Sequence, residues 1–109
     1  MKINILGTEY DFAETTAEED SRLYSNDGYL DGYYDIWEKV IRVVSDIENH
    51  PNNSGNLNEY KAKVKRHEIA HAFLGESGLK DYNDDEVIVD WIAFQLPKML
   101  KAFQEVGCI

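Results

Sequence analysis

The chain opens with alternation. Lys2-Ile3-Asn4-Ile5-Leu6 switches between polar and apolar as a half-buried strand does, and Glu9-Tyr10-Asp11-Phe12 alternates again. Gly7-Thr8 between them fits a two-residue turn with glycine first, so residues 2–12 are predicted as a hairpin. Thr15 to Asp20 is acidic, polar and aperiodic, and reads as a surface loop or short helical turn. Turn signals follow at Asn26-Asp27-Gly28 and Asp31-Gly32. Tyr24, Tyr29, Tyr33 and Tyr34 gather around them, and suit ordinary sheet packing better than a substrate-facing aromatic rim. Between Tyr33 and Ile47 two patterns compete. Ile36, Val40, Ile41, Val44 and Ile47 fit a helical stripe, whereas the largely β-branched run Val40-Ile41-Arg42-Val43-Val44 fits a strand. We read strands at about 29–36 and 40–45.

The period then changes. After the loop His50-Pro51-Asn52-Asn53-Ser54-Gly55, the positions Leu57, Tyr60, Val64, His67, His71 and Leu74 recur at helical spacing. They predict one amphipathic helix over Asn56–Leu74, stopped by Gly75 or Gly78. Lys80 to Asn83 connects it to a second helix at about 84–105, with an apolar face that includes Val87, Trp91, Ile92, Leu96, Leu100 and Phe103. Pro97 should kink or break that helix near 93–96, and Gly107 should end it. The predicted class is α+β: a small antiparallel or mixed sheet, from the N-terminal hairpin and strands near 29–45, packed on two main helices at about 56–75 and 84–105. Residues 1–109 form a single domain with one modest core.

Composition narrows the possible functions. A hydrophobic content of 43% argues for a folded chain. The net charge of −10 argues against binding a nucleic-acid backbone, and suits cationic partners or imitation of nucleic-acid charge. Cys108 is the one cysteine, so neither an internal disulfide nor a cysteine-based zinc site is available, and it reads as incidental. No apolar run approaches the length of a membrane span, and the start MKINILGTEY lacks the apolar core of a signal peptide. A cytoplasmic protein without membrane contact is expected. Oligomeric state is not readable.

The chemistry concentrates in the first helix, at His67-Glu68-Ile69-Ala70-His71. Positions i and i+4 lie one above the other on a helix, so His67 and His71 can aim two imidazole nitrogens at one point. Neutral imidazole suits Zn²⁺, and Glu68, beside the first ligand, can act as general base on a metal-activated water. The competing reading is a pair of hydrogen-bonded core histidines with an exposed Glu68. A catalytic zinc usually takes three protein ligands; without cysteine the third is a carboxylate, another histidine or a tyrosine. Glu86 and Asp90 are four apart on the second helix and share a face. We assign Glu86 as ligand and Asp90 as the group that holds a histidine's far N–H, with the exchanged assignment open. Two plainer roles compete: a capping box with Asn83 as N-cap for Glu86, and a solvated helix face for Asp90. Asp84 and Asp85 read as helix-dipole partners. His50 reads as an exposed loop residue, and Tyr60 and Tyr82 are candidates for stabilising a transition state.

His67-Glu68-x-x-His71 followed by Glu86-x-x-x-Asp90 resembles the gluzincin pattern of zinc metallopeptidases. The stretch Arg66–Leu74 with Asp90-Trp91-Ile92-Ala93 also resembles short phage and mobile-element proteins of Gram-positive bacteria that are similar to minimal zincins. The resemblance covers about residues 40–100. It implies a zincin-like fold in a bacterial host cell, one Zn²⁺ held by His67, His71 and Glu86, and Asp90 supporting a ligand. It further implies hydrolysis of a peptide or protein substrate with Glu68 as base. Two other functions fit the residues: an acidic phage-encoded protein that binds a host factor or mimics DNA charge, and a protein whose zinc is purely structural.

Overall fold

The computed structural model describes residues 1–25, 28–46 and 56–109. His50 and its loop lie outside the described residues. The strands are β1 (Lys2–Ile5), β2 (Thr8–Thr15), β3 (Tyr24–Ser25), β4 (Gly28–Tyr29), β5 (Gly32–Asp35) and β6 (Val40–Val44). The helices are α1 (Leu57–Glu76), α2 (Lys80–Asn83) and α3 (Glu86–Glu105). The class is α+β, and the four-stranded sheet has the order β1-β2-β6-β5. It is mixed: β2 and β6 run parallel, and the two outer pairings are antiparallel. β3 and β4 form a separate two-stranded ladder.

The hairpin forms one residue earlier than expected. Ile5 faces Thr8, so Leu6-Gly7 is the turn rather than Gly7-Thr8. Both turn residues have positive φ, 51° and 88°, the geometry of a two-residue turn that matches strand twist. The Asn4 side chain accepts the Gly7 N–H at 2.9 Å and fixes that register. The returning strand continues past Phe12 to Thr15, because β6 gives it a partner on its other side. The expected strand at 29–36 is divided: Gly28–Tyr29 pairs back with Tyr24–Ser25, and only Gly32–Asp35 joins β6.

Two buried clusters join the sheet to α1. Ile5, Tyr10, Ile41 and Ala72 form one; Ala17, Leu23, Val43, Val44 and Val64 form the other. β6 supplies Ile41, Val43 and Val44 because it is the sheet's inner strand beside β5. α1 therefore lies between the sheet and α3, which packs on α1 and α2. Of the two glycine stops considered for α1, Gly78 adopts the left-handed conformation, at φ 74°, just past the C-cap Ser77. Gly75 has another role: a Cβ there would lie 3.1 Å from the Tyr34 hydroxyl.

Pro97 does not break α3, which is continuous from Glu86 to Glu105. Proline lacks the N–H that would bond the Ala93 carbonyl one turn earlier. Arg66 of α1 replaces it, donating from Nε to that carbonyl at 2.6 Å. The helix continues because its neighbour satisfies the acceptor that proline strands. No helix of the described residues is long and apolar enough to cross a membrane.

Candidate metal centre

The site is built where α1 faces the start of α3. α3 is capped by Asp85, whose side chain accepts the Val87 N–H at 3.0 Å, so Glu86 opens the helix. Asn83 is not its N-cap, and the capping-box role for Glu86 does not hold. Glu86 instead reaches across to α1. Its carboxylate oxygens lie 3.0 Å from His67 Nε2 and 3.1 Å from His71 Nε2. The imidazole rings themselves are 4.8 Å apart between centroids. The group His67, His71 and Glu86 could hold a metal ion.

The opposite edge of each ring is also occupied. His67 Nδ1 lies 2.8 Å from Asp90 Oδ1, and Lys63 Nζ approaches the same oxygen at 3.2 Å. His71 Nδ1 lies 2.6 Å from Asn83 Oδ1. That amide's orientation is set by its own donor, since Asn83 Nδ2 donates to the Tyr34 hydroxyl. Tyr34 in turn stacks on His71, with planes 5° apart. An amide oxygen can only accept, so His71 carries its proton on Nδ1. When neutral, that ring presents its lone pair at Nε2. Burial, aided by the neighbouring His71, lowers the pKa of His67 despite its bond to Asp90, which favours the neutral form of the His67 ring.

This arrangement tests whether a metal fits. Two nitrogen lone pairs and a carboxylate converge, and acceptors facing acceptors repel unless something positive lies between them. Protonating both rings would place two cations side by side; one divalent ion satisfies all three groups at once. Two ligands of a tetrahedral zinc at about 2.0–2.1 Å are separated by roughly 3.3 Å. The observed His–Glu86 separations of 3.0 and 3.1 Å are close to that, and all three ligand atoms lie within 4.8 Å of one another, so the group could hold a metal ion.

Glu68 is buried, at 7% exposure, where the competing reading had it exposed. Burial, and secondarily the charge of Glu86, pushes its pKa up to about 8. It packs under β5, where a Cβ on Gly32 would come within 2.9 Å of Glu68 Cγ. Gly32 is thus the residue that lets strand and helix approach. Above them opens a cleft of about 440 Å³, bordered by β5, α1 and α3, which takes in Glu68, Glu86, Asp90, Asp31 and Lys63.

Sequence reasoning brought His67, Glu68, His71, Glu86 and Asp90 to one place, and all five line this cleft. It missed Asn83, Tyr34 and Gly32. Asn83 was legible only as a helix cap, and nothing in a linear pattern ties Tyr34 to His71. The tyrosines divide: Tyr33 and Tyr34 line the cleft as well as packing in the sheet, while Tyr24 and Tyr29 are exposed and pair with each other. Of the proposed transition-state tyrosines, Tyr60 donates its hydroxyl to Asp31 and Tyr82 is exposed; neither lines the cleft. Cys108 is exposed. Comparisons with protein-family models, curated proteins and solved structures gave no match to this chain.

Proposed function

We propose that the protein is a zinc-dependent hydrolase of peptide bonds, with His67, His71 and Glu86 as ligands and Glu68 as general base. The observation that supports this most is the pair of histidine lone pairs turned toward Glu86 by Asp90 and Asn83. Zinc, when bound, supplies Lewis-acid polarisation of the scissile carbonyl and increases the acidity of water. Glu68 faces the same cleft from the adjacent turn of α1, with a proton affinity raised by burial. Its carboxylate takes a proton from water and returns it to the leaving amine. β5 ends the sheet beside α1, so an extended peptide can add to it as a further strand and bring its carbonyl over the ligands. The zincin-like character of the fold and the bacterial cytoplasm as its location belong to the same proposal.

The test is zinc content and turnover in one set of purified variants. Wild type is expected to carry about one zinc per chain, His71→Ala to lose it, and Glu68→Gln to keep it while losing peptide hydrolysis. Hydrolysis by Glu68→Gln at the wild-type rate would refute the base. Wild-type protein that takes up no zinc would refute the site and leave the acidic surface as the functional feature.

A further inference from the structure

The apolar pattern of α3 extends further than its packing. Val89, Ala93, Leu96, Leu100 and Phe103 follow one another at intervals of four, three, four and three, the spacing of a coiled-coil seam. The first two are fully buried. The next three, on the same side of the helix, are 49%, 43% and 38% exposed. One seam therefore runs the length of α3, covered by the protein itself only as far as Ala93. Beyond it Val106 and Ile109 are exposed as well.

We propose that the distal seam of α3 is a homodimer interface, occupied by the same seam of a second copy running antiparallel. Three observations favour a second copy. The first is charge. A chain of net charge −10 repels its own copies over most of its surface. No seam position from Ala93 to Phe103 is charged, and Lys98, Lys101 and Glu105, a net +1 on the other side of the helix, are the only charged side chains of residues 91–109, so this is the segment on which two acidic molecules meet with least repulsion. The second is shape. A two-fold axis near Leu100 sets Leu100 against its counterpart and Phe103 against Leu96, large against small, at both ends alike. The third is area. Leu96, Leu100 and Phe103, together with the exposed Val106 and Ile109 beyond them, leave on the order of 500 Å² of apolar surface, at the upper end of what a monomer leaves in one patch. With flanking side chains, that approaches the roughly 800 Å² per partner of a standard interface. Trp91 and Phe94 lie on the other side of α3, where Lys63 Nζ sits 5.2 Å from the Phe94 ring centre, and remain outside the contact. The cleft, at the Glu86 end, stays open in the dimer.

The test is sedimentation equilibrium of the full chain over the micromolar range, with wild type, the double variant Leu100→Glu/Phe103→Glu, and Trp91→Gln. Leu100 and Phe103 are each only about two-fifths exposed, so circular dichroism of the double variant is recorded alongside, and a retained helical spectrum separates loss of the dimer from loss of the fold. The expected result is a dimer for wild type and Trp91→Gln, and a monomer for the double variant. A wild-type monomer throughout would overturn the proposal, as would a dimer that survives the double variant. A monomer that co-sediments with phosphatidylserine-containing vesicles would overturn it in favour of a lipid surface.

Discussion

At the scale of single residues, the proposed centre depends on side chains that stand behind the candidate ligands. Asn83 is the clearest. It accepts from His71 Nδ1, and its own amide is held by Tyr34. Removing it releases the ring and the tautomer together. Asn83→Ala should weaken zinc binding by about 10–100-fold, the usual cost of losing such a supporting hydrogen bond. Competition with a chromogenic chelator measures this, and unchanged affinity would separate Asn83 from the site. Gly32 makes a steric demand rather than an electronic one. A Cβ there would meet the Arg42 carbonyl of β6 at 2.8 Å and Glu68 Cγ at 2.9 Å, so Gly32→Ala should strain the β5–β6 pairing as well as displace Glu68, and should slow hydrolysis more than it weakens zinc binding. Parallel zinc and activity assays separate those effects.

At the scale of elements, α3 is the instructive case. Local rules make Pro97 a break, and in isolation that expectation is sound. It fails because the stranded carbonyl of Ala93, a fully buried residue, meets Arg66 from α1. Arg66→Ala should destabilise the fold by about 1–3 kcal/mol, the cost of a buried acceptor left unmet. The same change should cost less in a Pro97→Ala background, where residue 97 regains its N–H. Urea unfolding of the four proteins in this cycle decides the matter; equal costs in both backgrounds would refute it. The episode also marks what the sequence could reveal. Elements with a strong period, α1, α3 and the two strands of the hairpin, were legible because burial of one face imposes that period. The candidate site residues were legible because helical geometry alone aligns His67 with His71 and Glu86 with Asp90. Turn register, the division of the strand at 29–36 and the supporting residues Asn83 and Tyr34 depend on partners distant in the chain, which no local pattern encodes.

At the scale of the whole molecule, Glu76 ties the end of α1 to the sheet. It accepts from Tyr10 at 2.7 Å, from Lys39 at 2.7 Å and from Thr8 at 3.3 Å. The Lys39 bond first, and the Tyr10 bond next, hold its carboxyl below the ordinary range. The unfolded chain therefore binds this proton more readily than the folded one. The resulting stability is fully present above the ordinary glutamate value, about pH 4.3, and is lost as pH falls through the lower folded value. Glu76→Gln should lower the urea midpoint near neutrality and flatten its fall between about pH 5 and pH 3. A variant as acid-sensitive as wild type would show that the protons go elsewhere.

The parallel pairing of β2 with β6 sets an order of assembly. During synthesis the β1–β2 hairpin can close as soon as its fifteen residues emerge, because its contacts are local. Its second partner lies 29 residues further along, where Asp11 meets Val40, and arrives only after β3, β4 and β5 have been made. In that interval β2 presents an open strand edge with Tyr10 and Phe12 uncovered, an invitation to neighbouring chains. Nascent chains of this protein are thus most prone to aggregate between the emergence of Thr15 and that of Val44, and slowing translation across that stretch should lower soluble yield.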